Sequence, residues 1–107
     1  MRVWQLHEIE MPGGTRSPVV LDSEDSRAVL IALAPGQELG EHQVRERAWV
    51  VVLDGAVDVD TAGETVTAGA GTLLEFDPTE RRTVRSAGGS RLLILLAPWP
   101  GPGHYPA

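Results

Sequence analysis

The chain has 107 residues, a single-domain length at which roughly two-thirds of the unfolded surface can be buried. Its 42% hydrophobic and 22% charged residues are globular proportions, which exclude a disordered tail or a membrane-embedded chain. It has no cysteine, and so no disulfide, thiolate ligand or cysteine nucleophile, and its net charge of −6 argues against a nucleic-acid partner.

Residues 1–8 lack an apolar segment of signal-peptide length, and the longest apolar runs, 29–34 and 92–97, are far too short to span a bilayer. A cytoplasmic protein with no membrane partner is expected. Twelve glycines and eight prolines punctuate short segments, a pattern of strands and turns. Residues 19–21 read as a short strand after Pro18, and 27–34 as a strand stopped by Pro35-Gly36. Residues 48–53 are valine-rich and end at Asp54-Gly55, a strong hairpin signal because a type I′ turn needs positive φ at both central positions. Residues 56–61 alternate apolar and polar, as a strand with one wet face does. After the Ala62-Gly63 turn, strands are expected at 64–68, 72–76, 82–86 and 91–97. No window carries a helical stripe with caps. The proline-rich tail, 98–107, cannot hold a central strand position, and Trp99 and Tyr105 are expected to pin it to the surface.

This order of strands and glycines resembles the cupin family. Gly36, His42 and Gly55 match the first glycine, leading histidine and closing glycine of the family's first motif, but its second histidine and its glutamate positions hold Val44 and Ala48. Gly71-Thr72-Leu73-Leu74-Glu75-Phe76 opens like the second motif, whose proline, glycine, histidine and asparagine positions hold Asp77, Thr79, Arg82 and Ser86. The resemblance implies an all-β fold, a single cupin-type jelly-roll β-barrel in one domain, 1–107, with its core at about 27–97. It also implies a divalent metal held by imidazoles and a carboxylate, of which only His42 is retained. Val44 and Ala48 have no donor atoms and Arg82 is a permanent cation, so no metal and no other cofactor is expected. Glu41 or Glu46 leaning in would be the exception.

Strand alternation then says what replaces the metal site. If the ligand positions point inward, so do His42 and Val44, then Ala48, Val50 and Val52, and then Arg82, Val84 and Ser86. Trp49, Val51 and Leu53 fall on the opposite face, an apolar surface that suggests a homodimer. The expected function is metal-independent binding of a small molecule, with Arg82 taking a carboxylate, His42 hydrogen-bonding it, and Val44, Ala48, Val50 and Val84 forming the apolar wall. No catalytic constellation is evident. Two alternatives stand beside this: a divergent metal-dependent enzyme of dioxygenase or isomerase type using His42, and an interaction module with a filled barrel. Arg82 could also sit in an ion pair with Glu75, Asp77 or Glu80, and His42 could be a core histidine. Glu75 and Asp77 share a strand face and read as a polar rim before a hydrolytic pair. Asp58, Asp60, Arg81 and Arg85 read as solvated, and His7 and His104 as exposed.

Overall fold

A computed structural model describes residues 1–11, 18–42 and 44–101, with residues 40–42 described by their backbone. Eight strands run in the order β1 (Val19–Ser23), β2 (Arg27–Leu33), β3 (Gln37–His42), β4 (Arg47–Thr61), β5 (Glu64–Gly69), β6 (Leu73–Phe76), β7 (Arg82–Ser86) and β8 (Ser90–Ala97). Every pairing is antiparallel, and the sheet path is β1-β2-β8-β4-β7-β3, with β5 and β6 also paired to β4. This is an all-β curled sheet of jelly-roll type. No helix among the described residues is long and apolar enough to cross a membrane.

β4 organises the molecule. Its first half pairs β8 and β6, as in Val50↔Ile94 and Val50↔Leu74. Its second half pairs β5 and β7, as in Val59↔Val66 and Val59↔Val84. The two sheets are therefore joined through one continuous strand. This corrects the expected hairpin at Asp54-Gly55. The chain does not reverse there: it passes through a register shift between Val52 and Asp54 and bends at Gly55, whose φ is +75°. A Cβ at Gly55 would lie 2.1 Å from the Gly89 carbonyl oxygen, so the glycine admits a close backbone crossing where the strand changes sheets.

The second correction is β3, a strand that the hydrophobic pattern does not announce. Gln37–His42 carries charge and no apolar alternation, yet it pairs β7 through Gln37↔Ser86, Leu39↔Val84 and His42↔Arg82, with a shift between Leu39 and His42. Pairing with a neighbour, not side-chain propensity, makes it a strand. The Pro35-Gly36 turn that leads into it is tied by Ala34 N–H to the Gln37 side-chain oxygen (2.7 Å) and Gly36 N–H to Ser86 O (2.8 Å).

The core lies between the sheets. Val29, Ile31 and Leu33 of β2, Ala48, Val50, Val52, Val57 and Val59 of β4, Phe76, Val84, Leu92 and Leu96 are buried together. The 2-residue side-chain period puts alternate residues of β2, β4 and β7 inside.

Candidate functional site

The alternation that builds the core also places two polar side chains of β7 inside it. In β4, Ala48, Val50 and Val52 are buried while Trp49, Val51 and Leu53 are half-buried on the outer face. In β7, Arg82, Val84 and Ser86 are all buried, as parity requires. Ser86 satisfies its hydroxyl by donating to Ala56 O at 2.9 Å. Val44 packs half-buried against the core. His42 is placed by its backbone opposite Arg82 at the end of β3, and its side chain lies outside the described residues.

Arg82 is only 4% exposed. Its guanidinium carbon sits 4.6 Å from the centre of the Phe76 ring, and Nη1 donates to the Glu80 carbonyl oxygen at 3.3 Å. Burial pushes its pKa below the ordinary arginine value, opposed by the nearby negative charge of Glu80. None of the three carboxylates that the sequence offered forms an ion pair with it among the described residues. Glu75 and Asp77 are held by Arg47 of β4, at 3.0 and 2.7 Å, and these hydrogen bonds, with Asp77 leading, raise the Arg47 pKa. Glu80 accepts instead from Thr61 Oγ1 at 3.0 Å and from the Asp77 N–H at 2.9 Å. The Glu75–Asp77 pair is thus an exposed rim clamped by one arginine.

Phe76 was the missing member of the site. Its register partner is Ala48, so it lies on the inner face at the same end of the barrel as Arg82. The signal was present in the sequence, since the last residue of a strand two positions after an inward Leu74 must also point inward. The β6–β7 loop beyond it is tied to the β3–β4 loop by Thr79 N–H donating to Val44 O at 2.7 Å, with Thr79 held at a left-handed φ of +65°. A recess of about 380 Å³ beside the β4–β5 hairpin is bordered by Asp60, Thr61, Arg81, Arg82 and Thr83. A second cleft of about 540 Å³ lies on the outer side between Arg45, Trp49, Thr79 and Pro98.

The other candidates fall away from this point. His7 is exposed and lies 3.3 Å from Asp54. Asp58 and Asp60 accept from Thr67 and Thr65 on the outer face of the β4–β5 pair, each at 2.6 Å, and Asp60 also pairs with half-exposed Arg85. Glu46 is fully buried, and its Oε2 accepts the Gly101 N–H at 2.6 Å. His104 and Tyr105 lie outside the described residues.

A divalent metal needs three or more converging donors. Among the described residues no such group of histidine and carboxylate side chains exists. The side chains of Val44 and Ala48 have no lone pair to give, and the Arg82 guanidinium is a permanent cation. The described residues do not fit a metal.

The family model for the cupin domain matches residues 29–98. Solved structures with the same fold include a protein of unknown function from Rhizobium leguminosarum, 27% identical with a TM-score of 0.77 over 92% of this chain and 97% of that one. An RmlC-like cupin protein from Desulfovibrio desulfuricans is 23% identical, with a TM-score of 0.79 over 92% and 97%. A cupin superfamily protein from Desulfitobacterium hafniense is 14% identical, with a TM-score of 0.79 over 87% and 86%. No curated protein matches the chain. The match from β2 to the end of β8, on a jelly roll joined through β4, means that this chain belongs to the cupin family.

Proposed function

We propose that this protein is a metal-independent member of its family, acting in the cytoplasm, that binds a small organic acid with Arg82 as the anchor. One observation carries the reading: a guanidinium buried in an apolar interior with no carboxylate partner among the described residues. Such a cation is costly to keep there, and a ligand carboxylate restores what hydration supplied. The planar fork of arginine suits a carboxylate in two-pronged geometry. Ala48, Val50, Val84 and Val44 provide the apolar surroundings for the body of the acid, and His42, whose backbone pairs with Arg82, is the second hydrogen-bonding group of this reading.

The filled-barrel reading is favoured by a different observation, the Phe76 ring and the Glu80 carbonyl that already attend the cation. A thermal-shift screen of small aromatic and aliphatic acids separates the two. An acid at a hundred times its Kd adds about 2.7 kcal/mol to the stability of the protein it binds. The expected result is stabilisation of the wild type by at least one acid, none of Arg82→Leu, and less of Arg82→Lys, whose point charge loses the fork. Equal shifts in wild type and Arg82→Leu would favour the filled barrel. Near-stoichiometric Fe, Mn, Ni or Zn that is lost in His42→Ala would instead favour a metal-dependent enzyme.

A further inference from the structure

The chain does not leave the fold at the end of β8. The Trp99 N–H donates to the Asp25 carbonyl in the β1–β2 turn at 2.9 Å, and the guanidinium of Arg27 lies 4.8 Å over the Trp99 ring. Two residues on, the buried Gly101 gives its N–H to the fully buried carboxylate of Glu46 at 2.6 Å. A Cβ at Gly101 would lie 3.1 Å from Glu46 Cγ and Oε2, so glycine is what lets the backbone come this close.

Strand register places all of this at the Arg82 end of the barrel. Ala97 pairs with Arg47, the residue after Glu46, and Leu96 pairs with both Arg27 and Ala48. Ala48 in turn pairs with Phe76, whose ring lies under Arg82. Trp99 packs half-buried against the same core cluster.

We propose that residues 98–101 form a strap that closes this end of the barrel over Arg82, with Glu46 as its latch. The idea deepens the acid-binding reading, and rests on it only for the ligand. A buried carboxylate is rarely kept without a task, and here its Oε2 is spent on a backbone N–H of the terminal segment through a charge-assisted bond. Beyond it, the ties among the described residues include one backbone hydrogen bond, one cation on a ring face and the packing of a single indole. Residues 98–101 follow the last strand and take no part in the sheet ladders, so lifting the strap can open this end locally while the sheets stay intact. The strap carries an indole that packs against the core, which favours acids with an aromatic body over short aliphatic ones.

The test is the rate at which phenylglyoxal, which condenses with guanidinium groups, labels Arg82 in the full chain, read by peptide mass spectrometry against half-exposed Arg85. Glu46→Gln preserves size but replaces the charge-assisted bond with a neutral one, and should speed Arg82 labelling about fivefold relative to Arg85. Trp99→Ala should speed it further, and Arg27→Ala provides a milder variant that leaves the core intact should the indole be needed for folding. Circular dichroism checks each fold. Benzoate is the ligand probe, and it should slow Arg82 labelling in the wild type. Labelling at the wild-type rate in Glu46→Gln and in both other variants overturns the strap, whatever benzoate does, with the guanidinium then reached from the recess beside the β4–β5 hairpin. Faster labelling in the variants with no benzoate protection supports the strap and removes the acid reading.

Discussion

At Arg82 the balance of terms has a definite sign. Desolvation lowers its pKa, so the folded protein holds this proton less tightly than the unfolded chain does. A base with a depressed pKa costs stability at every pH below that value. Arginine keeps its charge across the whole working range, so the penalty is constant from about pH 5 to 9. The Phe76 ring returns part of it, about 0.5–2 kcal/mol for a cation on a ring face. Replacing a buried charge with a well-packed apolar side chain is often stabilising by about 1–4 kcal/mol. We therefore expect ligand-free Arg82→Leu to be more stable than the wild type, with a net gain of about 1 kcal/mol and a Tm rise of roughly 4–8 °C. Thermal melts at low and high pH should show the same gain at both, and a Tm that falls would mean that the cation is fully satisfied by the protein. The inward position of Arg82 was legible in the sequence, because it shares the period-2 face of Val84 and Ser86. Its surroundings were not. Arg47 claims Glu75 and Asp77 from a strand about 30 residues away in sequence, and Glu46 meets Gly101 at a separation of 55. Partnerships of that range are settled by packing.

Among the elements, β4 shows how one dipeptide can mean two things. Asp-Gly between valine-rich segments is a hairpin signal because Gly tolerates positive φ. Gly55 does adopt it, at +75°, but uses it to bend a continuous strand from one sheet to the other. A window of sequence contains the torsion and not the direction that follows, which depends on β8 meeting the first half of β4 and β7 the second. The apolar runs of β2 and β8 and the alternation of β7 were legible for the same reason that polar β3 was not: burial writes a pattern and edge pairing does not. The bend can be tested by comparing two glycines of nearly equal φ. A Cβ at Gly36, where φ is +83°, would meet nothing within 4 Å, so Gly36→Ala should cost only the left-handed penalty of about 1–2 kcal/mol. Gly55→Ala adds a clash with the Gly89 carbonyl that backbone movement alone can relieve, and should cost about 3 kcal/mol or more. Urea unfolding measures both. Equal losses would mean that the two strands at the crossing can move apart freely.

For the whole molecule, the outer face of the β2–β8–β4–β6 layer raises the question of what covers it. Register aligns Leu30, Leu93, Val51 and Leu73 in one row across it, and Ala28, Leu95, Trp49 and Glu75 in the next. Leu73 is 61% exposed, and Trp49, Val51, Leu93 and Leu95 are half-buried. The N-terminal segment covers part of the layer: Arg91 donates to the Leu6 and Ile9 carbonyls, at 2.7 and 3.3 Å, and His7 approaches Asp54. At the other end Arg47, Glu75 and Asp77 form an ionic border. An apolar centre between polar margins is the anatomy of a protein interface. A second copy is the simplest occupant, because a two-fold axis lets the same rows face each other. A stable dimer needs about 1,000 Å² of total buried surface, which a four-strand face can supply. Light scattering at micromolar concentration should then give about twice the 11.5 kDa chain mass. Val51→Glu places a charge at the centre of the rows while its neighbours Val50 and Val52 keep the core, so it should return the monomer mass with an unchanged circular dichroism spectrum. A wild type that scatters as a monomer, or a Val51→Glu variant that remains paired, would show that this face is not where copies meet.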